Sequence, residues 1–344
     1  MRRQRWVWII GLLSAALAAC SQFGPAVVPT ATLTYLPTPP PSATPEPDLQ
    51  LTYLTDPESQ GSRLFVATLG CLGAEQPCLS APTLLHATDE RLWSYDWSPD
   101  GRTVVYAAGR PQDLFLAAVT GPTLTVSPGP TVAAEPVWSR DGAAIAFAGD
   151  CNEFTCQFLR ANPDGTDRRP LLTGPAAALT RGQDLAWSPA GEQVAFVALD
   201  PANGGLVCQV YWVDLTSMEL RQLTDNAQEC VSVVYSSLSF SPDGRWVSLV
   251  QRNAEDAAAP GEIVLLPVDG TNAVTLPASP TVDPSDVVWL PRGDWLVFSG
   301  RVPEGDTFQT DLFAIQRDGT RLTRLTETPD HSEYAPAWRR APAP

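Results

Sequence analysis

Tyr95–Ala108 reads YDWSPDGRTVVYAA, and the chain writes that sentence again and again. The same frame recurs as PVWSRDGAAIAFAG at 136–149, LAWSPAGEQVAFVA at 185–198, LSFSPDGRWVSLVQ at 238–251 and VVWLPRGDWLVFSG at 287–300. A shortened copy, YAPAWRR, closes at 334–340. Aligned on their aromatics, Trp97, Trp138, Trp187, Phe240, Trp289 and Trp338, the copies stand 41, 49, 53, 49 and 49 residues apart. That interval holds four short strands and their turns, the unit of a propeller blade. In each unit an aromatic strand meets a Pro-Asp-Gly type turn, where Asp bonds its own backbone and Gly accepts positive φ. An alternating strand follows, such as Thr103–Ala107 or Gln193–Val197. A third spans Asp113–Ala117, Gln209–Val213 or Asp311–Ile315, and a fourth ends near the Leu-Thr of RQLTD and TRLTE.

The aromatic-Ser-Pro-Asp-Gly pattern followed by an apolar strand resembles the TolB-like β-propeller repeat, also described as WD-repeat-like. The resemblance runs from about Leu49 to Arg340. Departures are local: Arg140 stands for the turn Pro, Ala190 and Arg292 for its Asp, and Leu290 for its Ser. The first unit lacks an aromatic strand and begins with LQLTYLT and RLFVATL, while the last copy is little else. The strand at Trp338 is therefore expected to complete the N-terminal blade and close a six-bladed all-β ring of four-stranded blades, which removes two exposed sheet edges. TolB carries an α/β domain ahead of its propeller. Here that place holds only a Pro-rich stretch, so the resemblance brings partner binding in the envelope but not the Tol-Pal role.

The N-terminus reads as a targeting segment. Arg2, Arg3 and Arg5 precede an apolar run, Trp6–Leu17, too short to span a bilayer, and the run ends in Leu17-Ala18-Ala19-Cys20. This resembles a bacterial lipoprotein signal: residues 1–19 are removed, and Cys20 carries a diacylglyceryl thioether that anchors the chain to a membrane. Residues 20–48 hold the lipidated Cys and a Pro/Thr-rich stretch whose proline density favours a solvated, extended tether. The propeller occupies 49–340, and 341–344 form a tail. The body is thereby expected outside the cytoplasm, lipid-anchored in the cell envelope on the periplasmic or extracellular side.

All 22 basic residues are Arg, against 38 acids, for a net charge of −16 over 344 residues. Removing residues 1–19 takes away three Arg and no acid, leaving 19 net negative charges. Such a surface repels phosphate backbones, which excludes nucleic acid as a partner. Without Lys there is no phosphate-cradling Gly-rich loop ending in Lys. There is no GxSxG elbow, and a Ser-His-Asp triad would have to use His86 or His331, the two histidines present. Carboxylates are abundant enough for a two-carboxylate glycosidase, although most fall in turns.

Cys71 and Cys78, Cys151 and Cys156, and Cys208 and Cys230 remain once Cys20 is set aside. Six thiols allow 15 pairings, and sequence proximity favours the three local ones in an exported protein. A zinc cluster is disfavoured by the absence of CxxC and the shortage of histidine, so no metal or cofactor is expected. Three residues before the repeat aromatic stand Glu135, Asp184 and Asp286, and Glu333 lies five before Trp338. Should these loops converge, they would form an acidic rim at the tunnel mouth for a cation, basic peptide or partner protein; the competing reading is solvated loop acids. The aromatics themselves are expected to be blade core. The function expected is a non-catalytic binding or scaffold lipoprotein with a protein or small-ligand partner at the tunnel mouth. The alternatives are a carbohydrate-active hydrolase or lyase on a propeller, and a structural subunit of an envelope complex.

Overall fold

The computed structural model describes residues 49–340 except 57–60, 71–77, 110–112, 120–122, 126–133, 151–155, 200–206, 226–231, 254, 257–258, 278, 280, 305–306 and 329–330. The signal segment, Cys20, the tether and the tail thus lie outside the described residues. Within them, six antiparallel sheets stand side by side. Their innermost strands are Ser332–Arg340, Leu92–Trp97, Ala134–Trp138, Thr180–Trp187, Val233–Phe240 and Asp283–Trp289, belonging to blades 1 to 6 in that order. Each of these strands touches the innermost strand of the next blade, and blade 6 touches blade 1, so the circle closes. The protein is a six-bladed β-propeller.

Blade 2 shows the pattern: Leu92–Trp97, Thr103–Ala108, Asp113–Ala118 and Thr123–Thr125 pair in sequence order. The second strand of each blade is sandwiched between neighbouring blades, and in blades 3 and 4 it reads as a nearly unbroken apolar run. In Gln193–Leu199 every residue after Gln193 is buried, and all of Ile145–Gly149 is buried. Phe147 and Phe196 are among the largest fully buried side chains. The repeat aromatics Trp97, Trp138, Phe240 and Trp289 are at most 8% exposed, as core residues should be, while Trp187 and Trp338 are half-buried.

The expected closure is present. Ser332–Arg340 pairs antiparallel with Leu49–Asp56, placing Trp338 opposite Leu51 and Ala337 opposite Thr52. The chain's two ends thus share blade 1. Its outer edge departs from the simple four-strand pattern, because both Cys78–Leu79 and Thr83–Thr88 pair with Ser62–Gly70. Cys78, Cys156 and Cys208 are each disulfide-bonded. Cys71, Cys151 and Cys230 lie outside the described residues, and the three local pairings with them.

The Ser-Pro-Asp-Gly turn that joins first and second strands folds through its own side chains. Ser98 Oγ donates to Asp100 Oδ1 at 2.6 Å and accepts the Thr103 amide at 3.0 Å, while Asp100 Oδ1 accepts the Arg102 amide. Those bonds hold the Asp100 carboxyl below the usual carboxylate range, the Ser98 hydroxyl contributing most. Gly101 completes the turn at φ +68°, a conformation glycine adopts without a Cβ penalty. Where the repeat departs, the bonds thin out but the turn survives: at Leu290 only the backbone bonds to Trp295 and Gly293 remain. Successive turns also touch. A Cβ on Gly142 would lie 3.6 Å from the Pro99 ring, and one on Gly293 3.6 Å from Pro242. The turns of blades 2 to 6 therefore follow one another as a collar around the axis at one face, interrupted at blade 1.

Candidate functional site

Inside this collar lies a cavity of about 1210 Å3. That exceeds the roughly 300–1,000 Å3 usual for a small-molecule pocket. Its wall is built from the last residues of each innermost strand and the first of each turn, and all six repeat aromatics border it. They thus serve as core and as cavity wall together. Arg102 and Arg140 sit among the turn residues at the mouth.

One step deeper, the position three residues before each aromatic carries Ser94, Glu135, Asp184, Ser237, Asp286 and Ala335. In five of the six blades this residue adopts positive φ, between 50° and 61°, and the pairing with the second strand slips by one residue there. This is a β-bulge, repeated blade by blade. The bulge turns its amide towards the neighbouring blade, and the neighbour's side chain takes it. Ser94 Oγ accepts the Glu135 amide at 3.2 Å, Glu135 Oε2 the Asp184 amide, and Asp184 Oδ1 the Ser237 amide at 2.8 Å. Ser237 Oγ accepts the Asp286 amide at 2.9 Å and Asp286 Oδ2 the Ala335 amide at 3.4 Å. Ala335 has no side-chain acceptor, and the last gap is bridged by the Tyr95 hydroxyl donating to the Ala335 carbonyl at 2.8 Å.

Glu135, Asp184 and Asp286 are therefore brought together, half-buried, as latches between blades whose carboxylates are engaged by a neighbour's amide. Protein atoms crowd each carboxyl, and that burial pushes all three above their ordinary range, with the Glu135 charge adding to the shift of Asp184. The fourth residue is elsewhere. Glu333 is 1% exposed in the joint between blades 6 and 1, with Oε1 3.9 Å from His331 Nε2 and close to the fully buried Asp311. Burial raises its pKa as well. It does not belong to the ring, because it lies two positions before the bulge at Ala335.

The residue of the cavity wall that sequence reasoning missed is Asp96. It borders the cavity, and the matching position in the other blades carries Val137, Ala186, Ser239, Val288 and Ala337. Asp96 Oδ1 accepts the amide of Trp97 at 2.8 Å and Oδ2 that of Trp138 at 2.7 Å. Burial nevertheless pushes its carboxyl up to about 7, against the opposing pull of those two bonds. A single charge in an otherwise uncharged column of the repeat alignment is the signal that could have exposed it.

The strands also present backbone to the cavity. Ser188 donates its amide to Gln193, and Ser241 donates to Trp246. Trp187 and Phe240, one residue earlier, then fall at non-hydrogen-bonded pairs with Val194 and Val247, with N–H and C=O directed away from the sheet towards the axis. Val137 and Ala186, the counterparts of Asp96 in the preceding blades, carry no acceptor for those amides. Neither histidine joins the cavity wall. His86 packs beside Tyr106, with ring centroids 6.0 Å apart, and burial lowers its pKa.

No protein-family model matches the chain. Over 220 residues it is 25% identical to YuxL of Bacillus subtilis (strain 168), an uncharacterized peptidase, in a match covering 61% of this chain and 29% of that protein. The chain thus spans under a third of that relative. TolB from Acinetobacter baumannii matches in structure with a TM-score of 0.64 at 18% identity, over 84% of this chain and 66% of that one. An oligogalacturonate lyase in complex with manganese matches with a TM-score of 0.52 at 13% identity, over 81% of this chain and 73% of that one. At such identities the likeness is one of architecture. In fold, the chain is a TolB-like six-bladed β-propeller.

Proposed function

We propose that this protein is a non-catalytic binding lipoprotein of the cell envelope, and that its axial cavity docks a segment of a protein partner. The observation that carries this reading is the cavity itself. It has room beyond that of a small-molecule pocket, and its wall combines apolar side chains with backbone donors and acceptors facing the axis. A peptide inserted from the collar side would meet both. The carboxylates nearest the axis are engaged with backbone amides, and the two histidines sit in separate packed environments, which gives hydrolase or lyase chemistry little to work with at this site. Three disulfide-bonded cysteines support an oxidising compartment. No helix among the described residues is long and apolar enough to cross a membrane. Attachment is assigned to lipid on Cys20 because the short apolar run of the N-terminus ends in Leu17-Ala18-Ala19-Cys20.

Photo-crosslinking in intact cells tests the docking. A photoreactive residue at Arg140, on the collar, should trap one partner, whereas the same residue at Thr271, an exposed turn position on blade 5, should not. Equal trapping from both positions, or from Thr271 alone, would remove the axial cavity as the docking element.

A further inference from the structure

We infer that the axial cavity selects a partner segment that presents a cationic side chain, with Asp96 as its counter-ion. The inference rests on the cavity being the docking element. The six blades offer six equivalent wall positions, and only blade 2 fills its own with a charge. Asp96 is also held in place: the Trp97 and Trp138 amides fix one lone pair on each oxygen. A carboxylate has about four acceptor sites, so two remain for a ligand. An ammonium or guanidinium carries several donors and needs more acceptors than one carboxylate supplies. The axis-facing carbonyls of Trp187 and Phe240 belong to the same wall.

Charge along the wall is graded with depth: the collar turns carry both signs, and beyond them the charge on the wall is that of Asp96. The charged groups sharing the wall with Asp96 are Asp100, Arg102 and Arg140, all of them in the collar turns. Tyr95, next to it in the strand, is tied to Ala335 and Thr52. Arg339, stacked on Trp97, has its guanidinium bonded to Gly101 and Gln50. Glu135, on the adjacent blade, is a further carboxyl. A cation passing the collar therefore meets carboxyls and carbonyls with no competing Arg among the wall residues beyond the turns. The net charge of −16 draws it in from a distance. An anionic segment of equal size would bury its charge against Asp96.

The test uses detergent-solubilised full-length protein and a capped glycine–lysine–glycine peptide, followed through the indole N–H resonances of the tryptophans. At pH 8 the lysine peptide should give saturable shifts at Trp138 and Trp187. Its Nζ-acetylated form should bind about ten- to a hundredfold more weakly, as should the lysine peptide with Asp96→Asn, the loss expected for a hydrogen bond to a charged group. Binding of the lysine peptide should weaken on going from pH 8 to pH 6, as Asp96 takes up its proton. Putrescine, a cation without a peptide backbone, should bind less tightly than the peptide; tighter binding would point to a free diamine and overturn the partner-segment assignment. Equal binding of both peptides, or unchanged binding with Asp96→Asn, leaves axial docking intact and removes the charge selection. Absence of any saturable shift overturns the inference, and if the Arg140 crosslink fails too, the docking reading falls with it.

Discussion

Replacing Arg339 should open the ring at its seam. In other blades the residue after the repeat aromatic is a turn Ser, or Leu290. Blade 1 has no such turn, because its first two strands come from opposite ends of the chain, and Arg339 occupies the position instead. The side chain is 4% exposed. Its Nε donates to the Gly101 carbonyl at 2.9 Å and Nη1 to Gln50 Oε1 at 3.2 Å, while the guanidinium lies 4.8 Å over the Trp97 ring. One residue thus ties the last strand to the first blade and to the collar turn of the second. Arg339→Ala strands a buried carbonyl, at a cost of about 1–3 kcal/mol, and loses a desolvated cation–π contact of about 1–2 kcal/mol. Together with the lost packing of the stem, destabilisation by about 4 kcal/mol is expected. Arg339→Lys keeps the charge but not the planar fork, and should recover only part of it. Urea unfolding of the lipid-free protein measures both through the midpoint, provided the slope is unchanged. A loss under about 1 kcal/mol for Arg339→Ala, or equal losses for both variants, would refute the seam role.

Two further outcomes are expected. Cys20→Ala should release the protein from membranes, because the thioether needs that sulfur; retention of the variant after a salt wash would sink the lipid anchor. Stability should depend on pH through Asp96: held up at about 7 by burial, it keeps a proton in the folded chain that the unfolded chain releases near about 4, so stability falls as pH rises across that window. The raised Glu135, Asp184 and Asp286 act in the same direction. Urea midpoints should therefore decline from pH 5 to pH 7.5, and less steeply with Asp96→Asn; a midpoint that rises over this range contradicts the assigned burial.

The architecture was legible because the repeat is carried by local physics. Ser98, Asp100 and Gly101 make their turn with one another, so the motif marks a strand boundary wherever it falls, and even the degraded copy at Leu290 keeps its Gly. Closure was readable from what the end units lack. The site was harder. Glu135, Asp184 and Asp286 were found by their shared offset, yet their sign of charge suggested exposure, and nothing local to those residues records that a neighbouring blade presents an amide to each. Ser94 and Ser237 do the same work with a hydroxyl, which shows that the position needs an acceptor and not a charge. Glu333 was grouped with them by composition, although its offset differs by two residues. A sequence-local reading cannot see a hydrogen bond that spans 49 residues, such as that from Asp286 to Ser237.

On the docking reading proposed above, the two levels of the axis divide the work between rigidity and recognition. An innermost strand is an edge strand, and its outward amides and carbonyls need partners. At the bulge level the propeller supplies them itself: each positive-φ residue strains its backbone by about 1–2 kcal/mol, and the strain is offset by a hydrogen bond to the next blade. That exchange fixes the angle between blades and makes the tunnel wall stiff. At the level of the aromatics, the backbone groups of Trp187 and Phe240 face the cavity, while Asp96 takes the amides of Trp97 and Trp138 and joins blade 2 to blade 3. Had the bulge level lacked acceptors, the blades could shift against one another and the cavity would have no fixed shape. Had the upper level been filled with acceptors like the lower one, there would be little left for a partner to bind. Asp96 belongs to both, as a latch between blades and as a charge in the cavity wall, so a cation docking there would also tighten the joint between blades 2 and 3.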